Sequence, residues 1–96
     1  MISLCQRAGY IKHGEYQVYE AIKNGYVRLL IIAGDTSENS KDKLYASAKR
    51  LEIESFEYLN KESLGKIIGK DERSCLAVCD AGFAEKILLL YKEGVN

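Results

Sequence analysis

The stretch from residue 12 to residue 33 reads KHGEYQVYEAIKNGYVRLLIIA, and its pattern decides the fold. A basic turn ends at Gly14, and within residues 18–22 apolar side chains recur at i, i+3 and i+4, which predicts a helix with one buried stripe. The pair Asn24-Gly25 is typical of a helix end. Residues 27–33 are almost continuously apolar, as in a central strand covered on both faces. The stretch therefore predicts a turn, a short helix, a second glycine turn and a buried strand.

The start of this predicted helix has the chemistry of an anion site. Residues 15–18 follow the flexible Gly14, so we expect the first backbone N–H groups of the helix to be unpaired. These donors, together with the partial positive charge of a helix N-terminus, attract anions such as phosphate. This turn is therefore the first candidate for a functional site.

The rest of the chain alternates between helical and strand patterns. Residues 1–9 read as a short helical segment, residues 10–13 as an edge strand, residues 53–58 as a strand nearer the sheet edge, and residues 76–79 as a second buried strand. The predicted helix N-caps are Asp35, Thr36 or Ser37, then Asn60, then Asp80. The predicted inward-facing stripes are Leu44, Ala48 and Leu51; Leu64, Ile67 and Ile68; and Ala84, Ile87, Leu88 and Tyr91. This alternation favours an α/β sandwich with helices on both faces of the sheet, in one domain over residues 1–96.

Composition excludes several classes of protein. The chain has 96 residues, of which 47% are hydrophobic, so it can build a modest core. Its 14 basic and 14 acidic side chains cancel, and the basic excess of a general nucleic-acid binder is absent, so any RNA contact must be local. No apolar run approaches the roughly 20 residues of a membrane span, and the N-terminal segment lacks the pattern of a secretion signal. Three cysteines then predict a reducing, cytoplasmic location with free thiols.

The search for catalytic or metal-binding chemistry gives a negative prediction. His13 is the only histidine, and in a turn we expect it to be solvated or bonded to backbone. Cys75 and Cys79 lie in a predicted strand, which places their Cα atoms roughly 13 Å apart, too far for two ligands of one zinc ion. They are better read as small core residues. The sequence therefore predicts no enzyme activity, no cofactor and no metal.

Several short motifs, in order along the chain, resemble one family of RNA-binding proteins. They are Gln6-Arg7-Ala8-Gly9, the run from Ala21 to Gly25, Ser37-Glu38-Asn39, Leu64-Gly65-Lys66, and Asp80 followed by Gly82-Phe83-Ala84. Together they are similar to the kink-turn-binding ribosomal proteins of the L-seven-Ae and L-thirty-e type, and most of all to the bacterial YlxQ-like branch. The resemblance covers essentially the whole chain.

The resemblance implies a three-layer α-β-α sandwich around a four-stranded mixed sheet. It also implies that structured RNA, with ribosomal RNA as one candidate, is recognised by the start of the second helix and by the loop before the last strand. Ribosome-associated proteins are possible further partners.

The RNA-reading helix of the family begins G-x-N-E-x-x-K, and only part of this pattern is present. Gly14 matches the glycine, while Tyr16, Gln17 and Glu20 stand at the Asn, Glu and Lys positions. Tyr16 can stack on an unpaired base, and Gln17 keeps a carbonyl acceptor for a guanine edge. The Glu20 carboxylate, in contrast, would repel phosphate.

The complete set of RNA-binding residues that the resemblance implies includes the facing loop and a local basic rim. Lys12, Lys70 and Arg73 are expected to lie at the same end of the molecule, where they could attract RNA without a high overall charge. The predicted residues are Lys12, His13, Gly14, Tyr16, Gln17, Glu20, Asn24, Gly69, Lys70 and Arg73.

Other interpretations of these residues remain open. Tyr16 and Tyr19 could form a protein-contact surface, and Gln17 and Asn24 could be ordinary surface residues. The alternative function is then a protein-interaction module that keeps the fold but has lost kink-turn recognition, as Glu20 would allow. The chain also resembles the RNA-recognition domain that precedes some RNA-ribose methyltransferases.

Overall fold

Four short strands form a mixed sheet in the computed structural model, which describes residues 1–94. They are β1 (Ile11–His13), β2 (Leu29–Ile32), β3 (Glu54–Glu57) and β4 (Cys75–Val78), in the spatial order β1-β4-β2-β3. β4 runs antiparallel to both β1 and β2, while β3 runs parallel to β2. The predicted arrangement, with two central and two edge strands, is confirmed.

Five helices cover the two faces of this sheet. They are α1 (Ile2–Arg7), α2 (Glu15–Lys23), α3 (Glu38–Arg50), α4 (Lys61–Ile67) and α5 (Ala81–Lys92). The buried residues of α2 and α3 pack on one face, and those of α1, α4 and α5 pack on the other. The predicted three-layer α-β-α sandwich is therefore confirmed. Within residues 1–94, no helix is long and apolar enough to cross a membrane.

The two central strands supply the middle of the core. Every residue of β2 and β4 is buried, and successive side chains alternate between the two faces. Leu29 and Ile31 pack under α1, α4 and α5, whereas Leu30 and Ile32 pack under α2 and α3. Each fully buried side chain of this kind contributes about 1.5–3 kcal/mol of transfer free energy, so these short runs stabilise the fold strongly.

Three helices begin with side-chain caps that the sequence predicts. The side chains of Ser37, Asn60 and Asp80 accept hydrogen bonds from backbone N–H groups within the first turns of α3, α4 and α5. Among the three candidates before α3 the structure selects Ser37, because its neighbours have other partners. The Asp35 carboxylate accepts from the Lys61 N–H at 2.8 Å, and the Thr36 hydroxyl donates to the Ser74 carbonyl at 3.0 Å.

Two predicted inward positions differ in the structure. Leu51 is 47% exposed, because α3 ends at Arg50 and the following Glu52 adopts a left-handed φ of 56° that turns the chain away. Tyr91 is 40% exposed, although its ring stacks on Phe56 with centroids 3.9 Å apart. The stripe of α3 is thus shorter than predicted, and the inner face of α5 reaches solvent at its end.

Candidate nucleic-acid interface

The turn between β1 and α2 forms one wall of the candidate site. Gly14 is the N-cap of α2 with a φ of 82°, a conformation that favours glycine, and its N–H donates to the Cys75 carbonyl at 3.0 Å. The Val18 N–H, which we expected to be unpaired, donates to the Gly14 carbonyl at 3.0 Å. Within residues 1–94 no side chain caps α2, so the free donors are the N–H groups of residues 15–17.

The loop before β4, residues 69–74, forms the opposite wall, and we call it the cleft loop. Its last residue, Ser74, is held by residues that follow β2. The Ser74 carbonyl accepts hydrogen bonds from the Ala33 N–H at 2.8 Å and from the buried Thr36 hydroxyl. The other end is fixed to α4, because the Lys70 N–H donates to the Gly65 carbonyl at 2.9 Å. The backbone of the cleft loop is therefore held by hydrogen bonds at both ends.

A side-chain contact joins the two walls. The Arg73 Nε donates a hydrogen bond to His13 Nδ1 at 3.0 Å. The sequence predicts an imidazole that is solvated or bonded to backbone, and the structure instead pairs it with an arginine side chain. Burial lowers the pKa of His13, and the positive charges of Arg73, Lys70 and Lys12 lower it further. The imidazole is accordingly held in its neutral form. Because their charges act on His13, the three basic residues Lys12, Lys70 and Arg73 lie near its side chain.

Between the walls lies an open cleft of about 410 Å³. Its lining residues are His13, Gly14, Glu15, Tyr16, Gln17, Glu72, Arg73 and Ser74. Five of the predicted RNA-binding residues are therefore brought together: His13, Gly14, Tyr16, Gln17 and Arg73. The remaining predicted residues are not part of the lining; they are Lys12, Glu20, Asn24, Gly69 and Lys70.

Two side chains at the start of α2, Tyr16 and Gln17, differ in how many of their groups are free to contact a ligand. Tyr16 is 80% exposed, so its ring is free to stack. Gln17 is also exposed, but its Oε1 accepts a hydrogen bond from the His13 N–H at 3.2 Å. The predicted carbonyl acceptor is thus already engaged, and the outward group of this amide is its NH₂ donor.

Farther along α2 the predicted residues leave the cleft. Glu20 is exposed one helical turn beyond Tyr16 and does not line the cleft. Asn24 is the C-cap of α2, about 10 Å along the helix from Gln17. It therefore lies at the opposite end of the helix from the cleft.

Tyr19 does not belong to an exposed tyrosine surface. It is half-buried against the core cluster under α2 and α3, and burial raises the pKa of its phenol. Within the described residues its hydroxyl is buried without a hydrogen-bond partner. The protein-contact surface suggested by the pair of tyrosines is therefore reduced to Tyr16.

Three lining residues are not among the predicted RNA-binding residues: Glu15, Glu72 and Ser74. Glu15 and Ser74 face each other across the cleft, with the Ser74 Oγ 3.5 Å from the Glu15 Oε2. Ser74 could have been found as the polar residue directly before a buried strand, whereas the two glutamates carry no local signal. They make the cleft less basic than its rim.

The cysteines are packing residues, as the sequence predicts. Burial raises the pKa of both Cys5 and Cys75 to about 11, so neither thiol forms a thiolate near neutral pH. Cys79 packs on the same face of the sheet as Cys75. Within residues 1–94, no cluster of three or more His, Cys, Asp or Glu side chains could hold a metal ion.

The sandwich and the cleft at one end of its sheet define a small α/β protein with a candidate binding site between a helix start and a loop. Within that class the chain belongs to the ribosomal protein L7Ae/L30e/S12e/Gadd45 family, whose model matches residues 1–88. The family predicted from the sequence motifs is thereby confirmed.

Individual relatives share most of their length with this chain. The RNA-binding protein YlxQ of Enterococcus faecium is 33% identical over 86 residues, which cover 90% of this chain and 82% of the relative. RNA-binding protein YlxQ of Bacillus subtilis (strain 168) is 30% identical over 90 residues, which cover 94% of this chain and 90% of the relative. A solved structure of a Bacillus halodurans protein with unknown function superimposes with a TM-score of 0.89, at 37% identity, over 93% of this chain and 90% of that one. Both named relatives carry the name RNA-binding protein, which agrees with the predicted binding role.

Proposed function

We propose that this protein binds structured RNA in the cleft between the start of α2 and the cleft loop. The observation that carries the proposal is the joining of these two elements by the Arg73–His13 hydrogen bond, which presents both as one surface. Membership of a family with RNA-binding relatives supports it. The proposed location is cytoplasmic and the proposed ligand is ribosomal RNA, with ribosome-associated proteins as possible neighbours.

The cleft offers a distinct group for each part of an RNA ligand. The free backbone N–H groups at the start of α2 suit a phosphate. The exposed Tyr16 ring suits an unpaired base, a stacking contact worth about 1–3 kcal/mol. The NH₂ group of Gln17 is a donor that matches the acceptor edge of guanine. These groups favour a folded RNA with a splayed base over a regular duplex.

Kink-turn RNA is the structured ligand that we propose first. The direct experiment titrates the protein against a standard kink-turn duplex and against the same duplex with its G·A pairs replaced. We expect saturable binding to the first and at least tenfold weaker binding to the second. Equal affinity for both duplexes would exclude kink-turn recognition, and the absence of saturable binding even at low salt would contradict the RNA proposal as a whole.

Salt dependence supplies a second measure of the same interface. Lys12, Lys70 and Arg73 are the basic groups near the cleft, and each phosphate neutralised on duplex DNA adds about 0.9 to the slope of log affinity against log salt. Three contacts therefore predict a slope near −3, shallower than that of a general nucleic-acid binder. Lys70→Ala should reduce it by about one unit without changing the preference among RNA sequences.

The acidic residues around the cleft favour a second candidate function. Glu15 and Glu72 line the cleft, and Glu20 is exposed one turn farther along α2, an arrangement that suits a basic protein segment better than phosphate. A protein-interaction module would show no saturable RNA binding. The salt dependence of its affinity for a protein partner would not follow the slope predicted from three phosphate contacts. The two candidates are separated by the same titration.

A further inference from the structure

Arg73 holds together the two elements that build the cleft. Its Nη1 donates to the backbone carbonyls of Asp71 and Glu72 at 3.2 and 2.8 Å, so one end of the guanidinium stays within the cleft loop. Its Nε crosses to His13 Nδ1 at 3.0 Å, directly before the Gly14 N-cap of α2. The guanidinium is thus largely occupied by protein partners, and its position fixes the loop relative to the helix start.

This link requires a neutral imidazole. An arginine side chain does not give up a proton in proteins, so the hydrogen bond exists only while His13 Nδ1 is unprotonated and accepts. Protonation would place an N–H donor and a second positive charge against the guanidinium. The bond would then be replaced by repulsion.

Charged residues lie near His13 on β1, on α2 and on the cleft loop. Lys12 precedes it on β1, and Lys70 and Arg73 lie on the cleft loop. The carboxylates of Glu15 on α2 and Glu72 on the cleft loop line the same cleft. The three basic groups and burial together lower the pKa of His13, so the link is intact at neutral pH and is lost on acidification.

We propose that Arg73 is a positioning residue for RNA binding, which keeps the cleft loop against the start of α2 only while His13 is neutral. This inference rests on the proposed RNA function and predicts the direction in which RNA affinity changes with pH. Simple electrostatics predicts tighter RNA binding when His13 gains a proton, because phosphate is negative. The loss of the link predicts the opposite, since Arg73 no longer joins the middle of the cleft loop to the helix start, although the backbone hydrogen bonds at both ends of the loop remain.

The experiment measures affinity for the kink-turn duplex at about pH 7.5 and at an acidic pH below the lowered pKa of His13, which an NMR titration of the imidazole determines. The wild type should lose about tenfold in affinity at the lower pH, the effect of one lost hydrogen bond to a charged group. His13→Asn places an amide oxygen near the position of Nδ1 and does not titrate, so it should bind equally at both values. Arg73→Lys keeps the charge but lacks the Nε–H, and it should bind weakly at both.

An RNA-free measurement tests the link itself. In an NMR titration of the His13 imidazole, Arg73→Lys should raise the pKa of His13, because the hydrogen bond to the neutral form is lost while the positive charge stays. An unchanged titration would overturn the link. RNA binding with the same pH dependence in the wild type and in His13→Asn would overturn the positioning role and leave the RNA function standing, whereas no RNA binding at either pH would overturn both.

Discussion

Gly65 of α4 lies directly against the backbone of Asp71. A β-carbon added to Gly65 would stand 2.7 Å from the Asp71 carbonyl carbon and 3.1 Å from the Lys70 oxygen, and it would overlap the Asp71 oxygen itself. These atoms are backbone and cannot rotate away as a side chain can. Gly65 is therefore the point at which the cleft loop rests on α4.

The substitution Gly65→Ala tests this close approach. The added methyl group must displace the cleft loop, and overpacking of this kind costs about 1–3 kcal/mol of stability. Urea unfolding measures the cost. Gly82→Ala is the matched control, because its added carbon meets a single side-chain atom, the Asp80 Oδ2 at 3.3 Å, and no backbone atom within 4 Å. Equal stability of the two variants would show that the loop does not depend on this contact.

Tyr16 and Gln17 test the location of the site on α2. Tyr16→Ala and Gln17→Ala should each weaken binding to a kink-turn duplex by about 1–3 kcal/mol, through lost stacking and a lost base-edge contact. Lys49→Ala, on the exposed face of α3, should have little effect. Similar losses from all three variants would indicate non-specific electrostatic binding.

Glu20 tests the effect of charge beside the cleft. Glu20→Lys should tighten RNA binding, because a repulsion near the phosphates becomes an attraction. The helix should stay folded, since both residues are good helix formers. Glu52→Lys makes the same charge change in the turn after α3 and serves as the control. If both variants gain affinity equally, the effect is one of net charge and Glu20 does not face the RNA.

A small polar cluster on α3 and β3 predicts a pH dependence of stability. The Tyr45 hydroxyl donates a hydrogen bond to the Glu57 carboxylate at 2.9 Å, and the Lys41 ammonium donates a second one at 3.1 Å. These two bonds lower the pKa of the Glu57 carboxyl. A lowered carboxyl pKa stabilises the fold above the ordinary value near 4.3, and this contribution is lost as pH falls through the folded value.

Removal of the strongest donor to Glu57 should reduce this dependence. Tyr45→Phe is expected to cost about 0.5–1.5 kcal/mol at neutral pH and less at an acidic pH below the lowered pKa of Glu57, where the carboxyl is protonated in both proteins. Unfolding by urea at the two pH values gives the comparison, with the exposed Lys43→Ala on the same helix as control. An equal cost at both pH values would show that the phenol does not act through the charged carboxylate.

Most of the fold is predictable because it depends on local patterns. The runs that became β2 and β4 are apolar without interruption, and the caps Ser37, Asn60 and Asp80 each precede a helical stripe. Leu51 was misplaced because periodicity does not reveal where a helix ends. The turn that follows α3 uses a left-handed Glu52, where no glycine marks the conformation.

The candidate site is less predictable because its contacts are long-range. Gly14 and the helix start are visible as a glycine before an amphipathic segment. The Arg73–His13 bond joins residues 60 positions apart, and no spacing in the sequence marks it. The same is true of the Gln17 amide, whose oxygen is taken by the His13 backbone only once β1 and α2 have their final geometry.

The position of β4 determines when the cleft can exist during synthesis. Val78 of β4 pairs with Ile11 on one side and with Leu29 on the other, so the strand made last is the one that joins the two halves of the sheet. A nascent chain that ends before residue 75 leaves β1 without its neighbour and the apolar edge of β2 open, which is a hazard for aggregation. The cleft loop also leads into β4. Ligand binding by this protein therefore requires β4 to be in place, and a chain shortened before β4 would lack the site as well as the complete sheet.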